Sequence, residues 1–168
     1  MQLEDVRELL DYNAWAHRRI FDALAALSTE QYTRDLKSSF GSIHGTVCHI
    51  VWAEQLWLNR WVAKPAPATP QGKDLAGLPE ARARWETVEA ERARFLAGFT
   101  EARLKDGITI QPSGGGVAYT HTFRQMFLHT VDHSSYHRGQ VIVMLRQIDV
   151  KPPSAGMMAF FRERAARP

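Results

Sequence analysis

At 168 residues, with 45% hydrophobic and 23% charged residues, the chain can bury a full core and is too apolar for a disordered segment, so one domain over 1–168 is expected. Its net charge of +3 rests largely on C-terminal arginines (Arg162, Arg164, Arg167), with no basic run interleaved with aromatics, which argues against a nucleic-acid partner. The single cysteine, Cys48, rules out an intrachain disulfide, and neither the acidic start MQLEDVRELL nor any apolar run of roughly 18 residues marks export or a membrane span, so a cytoplasmic protein is expected.

Leu3, Val6, Leu10, Asn13, His17, Ile20, Leu24 and Leu27 step by three and four, which predicts a helix from about residue 3 to 27. Asn13 and His17 are polar breaks in that apolar seam, expected to hydrogen-bond across a bundle or lie at its solvated edge; lining a pocket is the alternative. A polar connection, 28–41, leads to Ser42, which can cap a second helix reaching about Ala63. This helix is apolar nearly all round (Ile43, Val47, Ile50, Val51, Trp52, Leu56, Trp57, Leu58, Trp61), so it is either central or covered by a second subunit, and a homodimer is expected. On it, His49 shares a face with Gly45, Trp52 and Leu56. His44 lies about 140° away and is expected to reach water or a local backbone group.

Lys64 to Leu78 holds three prolines and two glycines and predicts a long loop or crossover. Pro79 can open a third helix to about Phe99, with Trp85, Val88, Phe95 and Phe99 buried and Glu86, Glu89, Glu91, Arg92 and Arg94 on its wet face. Between Gly107 and His121 the helical pattern stops. Ile108, Ile110, Val117 and Tyr119 alternate around Pro-Ser-Gly-Gly-Gly, a hairpin signal and not a phosphate loop, since no Gly-Lys-Ser/Thr follows.

Thr122 and Gln125 form a capping-box pattern that starts a long helix to about Ile148. Phe123, Met126, Thr130, His133, His137, Gln140, Met144 and Ile148 form its inward seam, while His129 sits on the shoulder. Lys151-Pro-Pro-Ser ends it, and Gly156 to Arg164 predicts a short apolar terminal helix. The fold class is therefore all-α: a four-helix bundle with a short β-hairpin insertion before the last long helix and a short C-terminal helix.

His133 and His137 are one turn apart, and two imidazoles on a core face are hard to satisfy with helix carbonyls that are already bonded. A shared cation satisfies both. His49 is the candidate third ligand, while Cys48, about 100° away on its helix, reads as a small buried residue. Three neutral imidazoles leaving positions open suit a borderline divalent ion: zinc or nickel first, iron(II) also. Internally hydrogen-bonded histidines remain the competing reading. Paired Glu-x-x-His motifs of a di-iron bundle do not occur.

Three segments, YNAWAHRRI, SIHGTVCHIVWAEQLWLNRW and HTVDHSSYHRGQV, together resemble the DinB-like or YfiT-like metal-binding proteins over nearly the whole chain. The resemblance implies a variant up-and-down four-helix bundle, a homodimer, and His49, His133 and His137 as ligands. It also implies a small-molecule substrate and the chemistry of metal-dependent transferases acting with low-molecular-weight thiols and of related isomerases; the open coordination expected of the site suits a thiol-dependent transfer or a hydrolysis. A bundle in which the ion is only structural is the alternative. Asp132, His129 and Tyr136 are nearby candidates for supporting or proton-transfer roles, each equally readable as a surface or packing residue.

Overall fold

The computed structural model describes residues 1–67, 74–112 and 115–166. Four long helices dominate: α1 (Leu3–Leu24), α3 (Ile43–Trp61), α4 (Leu78–Ala97) and α5 (Phe123–Gln147). A short α2 (Thr29–Thr33), a hairpin of β1 (Gly107–Ile110) and β2 (Tyr119–Thr122), and α6 (Met157–Ala165) complete the chain, with a 3-10 turn at Glu101–Lys105. The all-α bundle with hairpin and terminal helix is thus the observed architecture.

The helix starts follow local chemistry. Ser42 Oγ accepts the Gly45 amide at 3.1 Å, Pro79 occupies the first turn of α4, and Thr122 and Gln125 close a reciprocal capping box at the head of α5. Helix α2 falls inside the segment expected to be only a connection. It is a single turn fixed by a Ser28–Gln31 capping box, too short for hydrophobic periodicity to register. The predicted loop from Lys64 to Leu78 lies partly outside the described residues, and α4 takes Leu78 as its first residue.

Packing sets a topology that the order of helices does not reveal. Helix α3 packs on α5 and α4, and α1 packs on α5 and α4, so α1 and α3 stand diagonally across the bundle. The core between them carries Leu10, Ile20, Val47, Val51, Leu58, Trp85, Phe127, Val141 and Met144. The large exposed apolar side chains among the described residues include Val117, Tyr119, Tyr136 and Val143 but none from α3. Within one chain Ile43, Val47, Ile50, Val51, Leu58 and Trp61 are buried, whereas Trp52, Leu56 and Trp57 are only half-buried, so packing on α4 and α5 covers part of the apolar surface of α3.

Arg92 corrects the expected wet face of α4: it is 2% exposed and reaches the bundle centre. The hairpin pairs Ile108 with His121 and Ile110 with Tyr119, while Val117, placed in a strand by alternation, is 88% exposed and precedes β2. Residues 113 and 114 of its turn lie outside the described residues. Phe123 N donates to Asp106 O at 2.9 Å, tying the hairpin's entry to the start of α5.

Candidate metal centre

Residues 38–41 lie against the first turn of α3 because Gly45 has no side chain. A Cβ there would sit 2.1 Å from the Phe40 carbonyl oxygen. The close approach lays the Phe40 ring over the His49 imidazole, centroids 4.1 Å apart and planes 18° from parallel. Phe40 also meets His137 edge-on at 5.5 Å, so one aromatic ring walls two of the three histidines.

The three predicted residues converge. His49 Nε2 lies 3.1 Å from His133 Nε2, and one ring nitrogen from each of His49, His133 and His137 falls within 4.8 Å of the others. Ring centroids are 5.0 Å apart for His49 and His133, 4.6 Å for His49 and His137, and 4.4 Å for His133 and His137. His137 is buried, whereas His49 and His133 are half-buried, so the cluster opens to solvent on one side.

Burial pushes the His49 imidazolium down to about 4, with the neighbouring His137 adding to it. Burial likewise brings His133 to about 4, reinforced by His137, His49 and His129. Both rings are therefore neutral near pH 7 and present lone pairs. His137 Nδ1 lies 2.8 Å from Gln140 Oε1, an acceptor, so Nδ1 carries the proton and Nε2 is left free to ligate.

This donor set fits a divalent cation. Two nitrogens on one tetrahedral zinc at 2.0–2.1 Å are about 3.3 Å apart, close to the spacing between His49 and His133. Among the described residues no cysteine or carboxylate completes the group. Cys48 is buried, its thiol pushed up to about 11 by burial first and then by Asp74; its Sγ faces the Leu75 carbonyl at 4.0 Å and is not part of the histidine group. His44 bonds instead to the Leu75 carbonyl at 2.9 Å, a backbone group but one 31 residues distant. His129 sits beside the cluster with its ring 5.7 Å from that of His133 and edge-on to Trp57 at 4.9 Å. Asp132 and Tyr136 face outward, Tyr136 being 66% exposed.

Next to the cluster lies a polar network that the sequence only hinted at. Glu54, 1% exposed, stands five residues after His49 and touches all three other long helices. Its Oε1 accepts from Asn13 Nδ2 at 2.6 Å, Ser134 Oγ at 2.7 Å and His17 Nε2 at 2.8 Å; its Oε2 accepts from Arg92 Nη1 at 3.0 Å. Arg138 Nη1 donates to Asn13 Oδ1 at 2.5 Å, and Arg92 also pairs with Glu89. Asn13 and His17 thus hydrogen-bond across the bundle, the first of the two placements expected.

Burial opposes ionising Glu54, yet Arg92, His17 and the Ser134 hydroxyl outweigh it and hold the carboxyl well below its usual range. Burial, opposed by Glu54, leaves His17 below its usual value. A neutral His17 whose Nε2 faces a carboxylate oxygen must place its proton there. Its 3.2 Å approach to Arg138 Nη1 is then proximity and not a hydrogen bond. Ser134 adjoins His133 in sequence, so the network holds α5 in register with α3 at the level of the histidines.

The sequence carried a signal for this network: Glu54 is an acid inside an otherwise apolar helix. Gln140 was visible as a polar seam residue one turn after His137. Phe40 left no periodic trace.

Comparison with known proteins identifies the family. The DinB family matches residues 1–165. Protein DinB of Bacillus subtilis is 30% identical over 146 residues, covering 83% of this chain and 84% of that protein. The uncharacterized protein YizA of the same organism is 24% identical over 151 residues, covering 90% of this chain and 92% of its own. A crystal structure of a DinB-like protein from Bacillus cereus superposes with a TM-score of 0.63 at 16% identity, covering 87% of this chain and 94% of that one. With a match over nearly its full length, the chain belongs to the DinB family.

Proposed function

We propose that this protein binds one divalent cation, zinc or nickel before iron(II), through His49, His133 and His137, and uses it as a metalloenzyme. The observation that carries the reading is the convergence of three histidine side chains on a half-open face with no fourth protein donor among the described residues. Structural sites are normally closed by four protein ligands, whereas catalytic ones keep a position for water or substrate.

When bound, the ion supplies Lewis acidity, the means of making a potent nucleophile near neutral pH. The protein's residues do the rest. Gln140 fixes the His137 tautomer, Phe40 covers one side of the pair and limits water there, and Glu54 with Ser134 holds α5 against α3. The reaction class favoured is a thiol-dependent transfer or a hydrolysis on a small molecule, in a homodimeric cytoplasmic protein.

One observation supports a second reading. The ligands come from α3 and α5, so a cation would also cross-link the two helices, and its role could be structural. Metal analysis and turnover on the same preparations separate these. Wild type should carry close to one ion per chain and show metal-dependent activity on thiol-conjugation or ester and amide panels, and His133→Ala should lose both. Full metal occupancy with no metal-dependent turnover, together with a sharply lower Tm in His133→Ala, favours the structural role.

A further inference from the structure

Beside the histidine cluster, α3, the head of α5 and the hairpin enclose a cleft of about 560 Å³, within the range of small-molecule sites. Its floor is the buried Met126 and its walls are Trp57, Tyr119, His121, Gln125 and His129. Among the described residues no carboxylate lines it. His129 is shared ground: its ring meets Trp57 at 4.9 Å on the cleft side and His133 at 5.7 Å on the other. A ligand lying in the cleft therefore ends next to the candidate metal centre.

At the edge of this space stands a cation, Arg60, whose side chain is not among those lining it but rests on one of its walls. The Arg60 guanidinium sits 4.5 Å above the Trp57 ring and has no acidic partner within ion-pair distance among the described residues. Burial lowers its affinity for its proton, opposed by Tyr119, yet an arginine stays charged. It is also close enough to act on His129, which burial depresses most, Asp132 opposes, and His121 and Arg60 depress further. Asp132, almost one turn along α5 from His129 and exposed, also lies outside the cleft lining.

A half-buried guanidinium stacked on one wall of a cleft that is otherwise walled by imidazoles, a phenol and an amide matches a carboxylate attached to a flat apolar body. The guanidinium offers paired donors to the carboxylate, and Trp57, Tyr119 and Met126 offer surface to the body. Resting on the metal-site reading, we propose that this cleft is the binding subsite for a small planar carboxylic acid. Arg60 fixes its carboxylate, and its far end is directed at the three histidines.

The test uses 2-naphthoate and its uncharged isostere 2-naphthamide, titrated calorimetrically into the full chain in zinc-loaded and chelator-treated forms. The acid should bind about tenfold tighter than the amide in both forms, because the charged contact is to Arg60 and not to the ion. Arg60→Gln should remove that preference, Arg60→Lys should keep part of it, and Trp57→Leu should weaken both probes alike. All three should keep wild-type zinc content. Equal affinity for acid and amide, no binding of either at millimolar concentration, or an undiminished preference in Arg60→Gln overturns the proposal. A preference seen only with zinc and surviving Arg60→Gln overturns it too, since the carboxylate then sits on the ion. Because zinc content is measured separately, failure of the cleft leaves the metal reading standing, and failure of zinc binding leaves the chelator-treated titration to judge the cleft.

Discussion

Replacing Glu54 with glutamine keeps the shape of the side chain and removes its charge. In the native protein Oε1 accepts three hydrogen bonds and Oε2 accepts the Arg92 guanidinium. A glutamine can offer its oxygen to the three donors only by turning its NH2 toward Arg92, donor against donor at the 3.0 Å now bridged by an ion pair. Arg92 and Arg138, each 2% exposed, then lose the carboxylate at the centre of their network. Removing one member of a buried ion pair costs about 3–5 kcal/mol, and a domain of this size loses about 2–4 °C of Tm per kcal/mol, so a fall of about 6–20 °C follows. Urea unfolding followed by circular dichroism at pH 7, with chelator present in every sample, measures this without a contribution from bound metal. A loss under about 1 kcal/mol would refute the view that this carboxylate organises the bundle centre.

Gly45→Ala should displace the 38–41 segment, since its Cβ meets a backbone carbonyl; the expected signature is altered Phe40 and His49 resonances and weaker zinc binding, checked by NMR and competition titration. Gln140→Ala should lower zinc affinity about 10–100-fold while leaving Tm in chelator nearly unchanged, as befits a residue that only orients a ligand. Stability of the metal-free protein should fall with pH from about 6.5 to about 4. His49 and His133 have folded values of about 4 against an ordinary 6.5, so across that window the unfolded chain binds protons the folded one refuses. Glu54 acts lower down: its folded carboxyl is depressed, so its contribution is complete above the unfolded value near 4.5 and is lost as pH falls toward the folded one. Urea midpoints from pH 3 to 8 check both limbs, and a flat profile between 4 and 6.5 would contradict the first.

The histidine centre was legible because its geometry is mostly local. His133 and His137 share a face by helical spacing alone, and His49 was the better placed of two choices on its helix. The helices were legible from periodicity and caps for the same reason. What escaped depends on how the long helices are arranged. Arg92 follows a run of glutamates and glutamate neighbours normally mark a wet face; only the diagonal placement of α1 and α3 brings Glu54 to it. Arg138 was hidden in the same way among the small polar residues around it. Phe40 reaches His49 through a turn that requires Gly41 at φ +76° and a bare Cα at Gly45. A glycine in the first turn of a helix was the available clue, because it costs helix stability and so signals a close neighbour.

The most direct test is an anomalous-scattering structure of tag-free protein incubated with zinc. The expected result is one peak about 2.0–2.1 Å from a ring nitrogen of each of His49, His133 and His137, with a remaining position open to solvent or substrate. No peak at these rings after zinc loading, or an ion whose coordination is completed by protein atoms, would contradict the account.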